Sequence, residues 1–164
     1  MTNFYSFHGT VTMISDFQGN GRADGCFKFF TVENDTGSIV NFVVSPTTYF
    51  VDHAMVSVGD RVTGYYDGDA PAILIYPPQF PALVMVKENQ NQNVKVSFFN
   101  NQLVSSDGQL QLNISQFTPL VLTNGQAFTG DLGNRDLIVV YGPTTKSIPA
   151  QATPYWVIVL CKSL

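Results

Sequence analysis

Cys26-Phe27-Lys28-Phe29-Phe30-Thr31-Val32-Glu33, then Asn34-Asp35-Thr36-Gly37, then Ser38-Ile39-Val40-Asn41-Phe42-Val43-Val44 is the stretch whose reading decides the fold. Two runs of β-branched and aromatic residues flank a short Asn/Asp/Gly connection, the strongest local signal for a hairpin. Outward from it the pattern repeats. Residues 7–17 form an earlier run that closes in Gln18-Gly19-Asn20-Gly21, rich in residues that accept positive φ. Pro46 ends the third strand by removing a ladder donor. Residues 49–56 hold the one helical turn expected in this half, and Gly59-Asp60 opens a fourth strand over 61–67. A loop rich in Gly, Asp and Pro runs through Ile73-Leu74-Ile75-Tyr76 to Pro77-Pro78, and 82–87 closes the set. No window repeats cleanly at helical spacing, so the chain is expected to be all-β, with five strands in this half.

Composition bounds the function. The chain has 164 residues, of which 45% are apolar and only 12% charged, against about 25% in ordinary soluble proteins. With 13 Phe, 7 Tyr and 1 Trp it carries too many aromatic anchors for a disordered chain. A net charge of −4 and an isoelectric point near 4.8 offer nothing to a phosphate backbone, so nucleic acid is not favoured as a partner. No apolar stretch approaches the roughly 20 residues of a membrane-spanning helix. The segment from Met1 to Thr12 lacks the basic start and apolar run of a secretory signal, from which synthesis in the cytoplasm is expected.

Gly9-Thr10-Val11 opening the first strand, the hairpin from Phe27-Lys28-Phe29-Phe30 to Phe42-Val43-Val44, and Val58-Gly59-Asp60-Arg61-Val62 leading into the fourth together resemble the oligonucleotide/oligosaccharide-binding fold, or OB-fold. The resemblance covers about the first 87 residues and implies a small Greek-key barrel. Another β-sandwich fits the same strand count.

The polar, anchorless Glu88-Asn89-Gln90-Asn91-Gln92-Asn93 is expected to link two modules, 1–87 and 94–164. The halves align. Arg61-Val62-Thr63-Gly64-Tyr65-Tyr66 falls on Asp136-Leu137-Ile138-Val139-Val140-Tyr141, and Pro77-Pro78-Gln79 on Pro149-Ala150-Gln151. The closing run Ala82-Leu83-Val84-Met85-Val86 falls on Trp156-Val157-Ile158-Val159-Leu160. Ser45-Pro46-Thr47-Thr48-Tyr49-Phe50-Val51 is echoed by Ser115-Gln116-Phe117-Thr118-Pro119-Leu120-Val121. Two small OB-like Greek-key β-barrel modules in tandem are the expected architecture. The second half, from Asn134-Arg135-Asp136-Leu137 through Thr144-Thr145-Lys146-Ser147-Ile148-Pro149-Ala150-Gln151, is similar to uncharacterised bacterial segments found beside copper-amine-oxidase-like stalk domains. That resemblance brings no activity and implies an envelope or cell-surface setting.

Catalytic chemistry finds little footing. His8 and His53 are the only histidines, and Asp52 directly before His53 points away from it in an extended chain, so neither is expected to act as a general base. Gly19-Asn20-Gly21-Arg22 lacks the spacing of a phosphate loop. Asp67-Gly68-Asp69 reads as a solvated turn with, at most, weak cation binding, and Asp24, Asp35 and Asp131 as turn residues. Cys26 and Cys161 have no metal or redox spacing and are expected to be buried thiols, though Cys161 could cross-link copies in an oxidising setting. No catalytic residue, cofactor or metal is expected.

Two roles remain. A ligand face could be made by Phe29, Phe42, Tyr65 and Tyr66, but Arg22, Lys28 and Arg61 are too few to build a basic groove beside them. Charges on strand edges normally block pairing between molecules, and this chain has few of them. The expected role is therefore a non-catalytic structural or self-assembling subunit, a homo-oligomer or polymer joined through strand edges and aromatic contacts. Phe4, Tyr5 and Phe7 near the start and Cys161 near the end are the assembly candidates. An OB-type module binding a glycan, a peptide or single-stranded nucleic acid is the alternative.

Overall fold

The computed structural model describes residues 1–17 and 24–161, and over these the chain is all-β. The strands are β1 (Phe4–Asp16), β2 (Lys28–Glu33), β3 (Ile39–Val44), β4 (Tyr49–Phe50), β5 (Arg61–Asp67), β6 (Gln79–Pro81) and β7 (Val84–Lys87) in one half. They continue as β8 (Asn93–Phe99), β9 (Leu110–Leu112), β10 (Leu120–Leu122), β11 (Arg135–Tyr141), β12 (Ala150–Ala152) and β13 (Trp156–Leu160). The expected helical turn is a single 3-10 turn, Val51–His53. Gln18-Gly19-Asn20-Gly21 and Arg22 lie outside the described residues.

The chain divides into two compact units, Phe4–Glu88 and a second made of Met1–Asn3 with Asn89–Leu164. The first three residues join the later half, where the Thr2 N–H donates to Asp136 Oδ1 at 3.2 Å. The polar segment is a turn, with the Asn91 N–H on Asn89 Oδ1 at 2.9 Å, and its last residue, Asn93, already opens β8.

In the first unit the sheet order is β4-β7-β5-β1-β2-β3-β6. Asn34 builds the β2–β3 hairpin turn: its Oδ1 accepts from the Thr36 N–H and the Ser38 N–H at 3.1 and 2.8 Å, and Gly37 supplies φ +86°. Strand β1 serves two neighbours in turn. Residues 4–10 pair with β5, residues 10–16 with β2, and a register shift between Val11 and Met13 bends the strand between these partners. Gly9 sits where the backbones crowd, since a Cβ there would lie 2.3 Å from the Glu33 carbonyl oxygen.

The third and closing strands are each broken in two, which raises the expected five strands to seven. Ser45-Pro46-Thr47-Thr48 separates β3 from β4, and Ala82-Leu83 separates β6 from β7. Two short parallel ladders follow, Asn41 with Gln79 through Val43 with Pro81, and Tyr49 with Val84 and Phe50 with Met85. Between them the Ala82 N–H donates to the Val43 carbonyl at 3.0 Å and the Tyr49 N–H to the Leu83 carbonyl at 3.0 Å. No sheet closes into a barrel; β4 and β6 stand at the two ends of this one. Val11, Phe30, Val32, Val40, Phe42, Val44, Val62, Ala82 and Met85 fill the core. Phe42 dominates it, and its ring lies so close over Gly64 that a Cβ there would meet it at 2.5 Å.

The second unit has the order β10-β13-β11-β8 and a separate parallel pair, β9 with β12. Each of its four ladders corresponds to one of the first unit's six, and β1–β2 and β2–β3 have no counterpart ladder. The antiparallel pairs β1–β5 and β5–β7 correspond to β8–β11 and β11–β13. The parallel pairs β3–β6 and β4–β7 correspond to β9–β12 and β10–β13. The Ser45 and Ser115 turns make the same bonds. Ser45 N–H donates to Thr48 Oγ1 at 3.0 Å and Ser115 N–H to Thr118 Oγ1 at 3.1 Å, while Thr47 and Phe117 N–H donate to the two serine hydroxyls. The closing strands match two residues away from the sequence alignment. Gly64 pairs with Met85 and Val139 with Val157, so Met85 corresponds to Val157 rather than Val159. A shift of two keeps the same face inward. The second core is Phe99, Leu110, Leu112, Leu132, Leu137, Val139, Ala152, Val157 and Val159.

Candidate interaction surface

The connection from β5 to β6 is the most apolar exposed part of the described chain. No charged residue occurs between Asp69 and Lys87, and within that span Ile73, Leu74, Ile75 and Tyr76 are 73%, 101%, 43% and 80% exposed. Exposed apolar residues scattered singly are ordinary, but four in succession form a patch. Its base is held by the Asp67 turn: Asp67 Oδ1 accepts the Asp69 N–H at 2.9 Å and the Asp67 carbonyl the Ala70 N–H at 3.3 Å. The tip folds tightly on itself, with the Ile75 N–H on the Ile73 carbonyl at 2.9 Å. Pro71 and Pro77 bracket the run.

Tyr5 joins this patch. It is half exposed, and a Cβ on Gly68 would lie 2.4 Å from its ring, so the ring covers the turn at the base of the apolar loop. Phe4 and Phe7 are half-buried, and Phe7 packs on the core. Residues 4–9 carry a ladder on the β5 side only, because pairing with β2 begins at Thr10. Among the described residues, that leaves backbone donors and acceptors along one side of the strand without a ladder partner. Cys161 is exposed and in no disulfide, and so is Cys26; both thiols were expected inside. Each lies just outside a strand, where the core does not reach.

The four ligand-face aromatics are not on one face. Phe42 is fully buried in the core. Tyr66 is half-buried against it, stacked on Phe80 at 3.9 Å and edge-on to Tyr5 at 6.0 Å. Burial and a Tyr5 phenol nearby raise its hydroxyl above the ordinary tyrosine value. Tyr65 and Phe29 alternate with inward neighbours and turn to the opposite side, where Phe29 stacks on Phe17 at 5.5 Å. Two of the four therefore serve the core.

The polar groups are tied to one another. Arg61 meets Asp35 at 3.3 Å, Glu88 at 3.2 Å and His8 Nε2 at 3.0 Å, while His8 Nδ1 lies 2.8 Å from Thr63 Oγ1. His53 is exposed in the 3-10 turn with φ +50°. No group of three or more His, Cys, Asp and Glu side chains among the described residues could hold a metal, Asp67 and Asp69 included. No helix among them is long and apolar enough to cross a membrane. Comparison with family models, with curated proteins and with solved structures finds no match for the chain.

Proposed function

We infer that this chain is a non-catalytic, self-associating β-protein made of two OB-like modules, with the loop carrying Ile73, Leu74, Ile75 and Tyr76 as its principal contact. The exposure of those four side chains is the observation that carries the reading. Covering one Leu or Ile side chain completely contributes about 1.5–3 kcal/mol, so the loop supplies a core for an interface whose rim is polar. Residues 4–9 add a strand side open to backbone pairing, next to the loop through Tyr5 and Gly68. The OB-like description is supported by the pairing pattern: a three-strand meander, a fourth strand beside the first, and a last strand parallel to the third and antiparallel to the fourth. Both units carry the parallel and fourth-strand pairs of that pattern.

Sedimentation across a concentration series to about 1 mM, a range that detects contacts of about −4 kcal/mol, tests the proposal. The native chain is expected to gain mass with concentration. Leu74→Asp is expected to weaken association by about tenfold or more, since each factor of ten corresponds to about 1.4 kcal/mol. A native chain that stays monomeric throughout, or a Leu74→Asp variant that associates as the native chain does, overturns it.

A further inference from the structure

The four matched ladders allow the two units to be compared position by position, and they differ in chemistry at one end of the core. Tyr66 pairs with Tyr5 and Gly64 with Phe7 in the first unit; at the same ladder positions of the second, Tyr141 pairs with Asn93 and Val139 with Lys95. Phe80, which stacks on Tyr66, has Ala152 as its counterpart, because Phe42 pairs with Phe80 as Leu112 pairs with Ala152. Three aromatic rings are thus replaced by an amide, an amine and a methyl group. Beside the Asn93, Lys95 and Tyr141 positions the second unit has a cavity of about 440 Å³, inside the ~300–1,000 Å³ range of small-molecule sites.

Asn93, Lys95, Gln109, Leu110, Tyr141 and Ala150 line it, with Gly142, Pro143 and Thr144 at one side. Asp107 neutralises the Lys95 ammonium in an ion pair. It is itself held in place by the Ser105 hydroxyl at 2.6 Å and the Gln109 N–H at 3.0 Å. The lining therefore offers no net charge to a ligand. The Asn93 Nδ2 donates to the Gly142 carbonyl at 3.4 Å and the Gln109 Nε2 to the Asp107 carbonyl at 3.3 Å, so the lining presents the two amide oxygens as acceptors, together with a phenol and a threonine hydroxyl, beside apolar Leu110, Ala150 and Pro143. Burial, with the Asp107 charge second, raises the Tyr141 phenol, which keeps it protonated and able to donate. An anion would have to displace Asp107 from Lys95, and a purely apolar ligand would cover the two amide oxygens and the Tyr141 hydroxyl without offering them a hydrogen-bonding group.

We propose that this cavity in the second unit is a binding site for a neutral, polyhydroxylated small molecule of mono- or disaccharide size, whose hydroxyls meet Asn93, Gln109, Tyr141 and Thr144 and whose C–H surface rests on Leu110, Ala150 and Pro143.

The test uses the full chain, labelled with nitrogen-15, and follows amide and side-chain signals while glucose, N-acetylglucosamine, maltose and lactose are added separately to about 50 mM, enough to saturate a site of millimolar affinity. At least one sugar is expected to give saturable shifts centred on Asn93, Lys95, Gln109, Tyr141 and Gly142. Asn93→Tyr with Lys95→Phe, which installs the first unit's residues, is expected to abolish them. Gln109→Ala, an exposed position whose loss leaves the core untouched, is expected to weaken binding several-fold and keeps the test decisive if the double variant does not fold. Silence with all four sugars overturns the proposal, as do shifts that survive both variants, or saturable binding of inorganic phosphate at the same signals.

Discussion

Asp107 shows how a single residue can be fixed by competing influences. Its partial burial works to raise the carboxyl, but hydrogen bonds from Lys95, Ser105 and the Gln109 N–H, with the Lys95 charge, outweigh that and hold it below the ordinary carboxylate value. A carboxyl depressed in the folded state contributes stability above its unfolded value of about 3.9, and that contribution is lost as pH falls through the folded one. Asp107→Asn is therefore expected to lower the urea midpoint at pH ~7 and to lose that difference below pH ~4, which equilibrium unfolding at the two pH values measures. This residue, with Asn93, Lys95 and Gln109, escaped the sequence reading. The repeat alignment does not reach them: Ser45 and Ser115 stand 70 residues apart but Phe7 and Lys95 stand 88 apart, so only the strand pairing sets Lys95 against Phe7. The aromatic candidates misled for a related reason. Phe29, Phe42, Tyr65 and Tyr66 are of one chemical kind, but strand alternation sorts them onto opposite faces.

At the scale of elements, the alternating runs and Asn/Asp/Gly turns were legible because each is local, and β2, β3 and β5 fall within a few residues of their expected places. The breaks were not. Pro46 marks the end of the third strand, but beyond it the chain resumes as β4 and pairs in parallel with a segment 35 residues later, a relation that no local pattern encodes. The apolar run Ile73-Leu74-Ile75-Tyr76 has the composition of a core strand, and only the flanking prolines hint that it stands in solvent. Thr48 holds the break in the seam. It is 9% exposed, its hydroxyl donates to the Ala82 carbonyl at 2.8 Å, and it accepts the Ser45 N–H at 3.0 Å. Thr48→Val keeps the shape and removes both bonds, so it is expected to cost about 1–3 kcal/mol for the polar groups left without partners, read as a lower urea midpoint with unchanged slope.

For the whole molecule, scarcity of charge is the property with the widest reach. Five ion pairs among the described residues, all with substantially exposed partners, contribute little to stability, and two apolar cores carry it instead. Association through an apolar loop should follow the same rule. Its dissociation constant is expected to hold or tighten between about 0.1 and 1 M sodium chloride, over which the screening length falls from ~10 to ~3 Å; marked weakening, measured by sedimentation, would assign the contact to charges instead. The division into two units also orders events in time. Every ladder of the first unit lies within Phe4–Glu88, so that half can reach its native form while the rest is still being translated. Met1, Thr2 and Asn3 precede that unit in the chain yet belong to the later one, and Thr2 must wait for Asp136 to emerge before its amide has a carboxylate to hold. Three residues made before the first unit are thus settled only by the second.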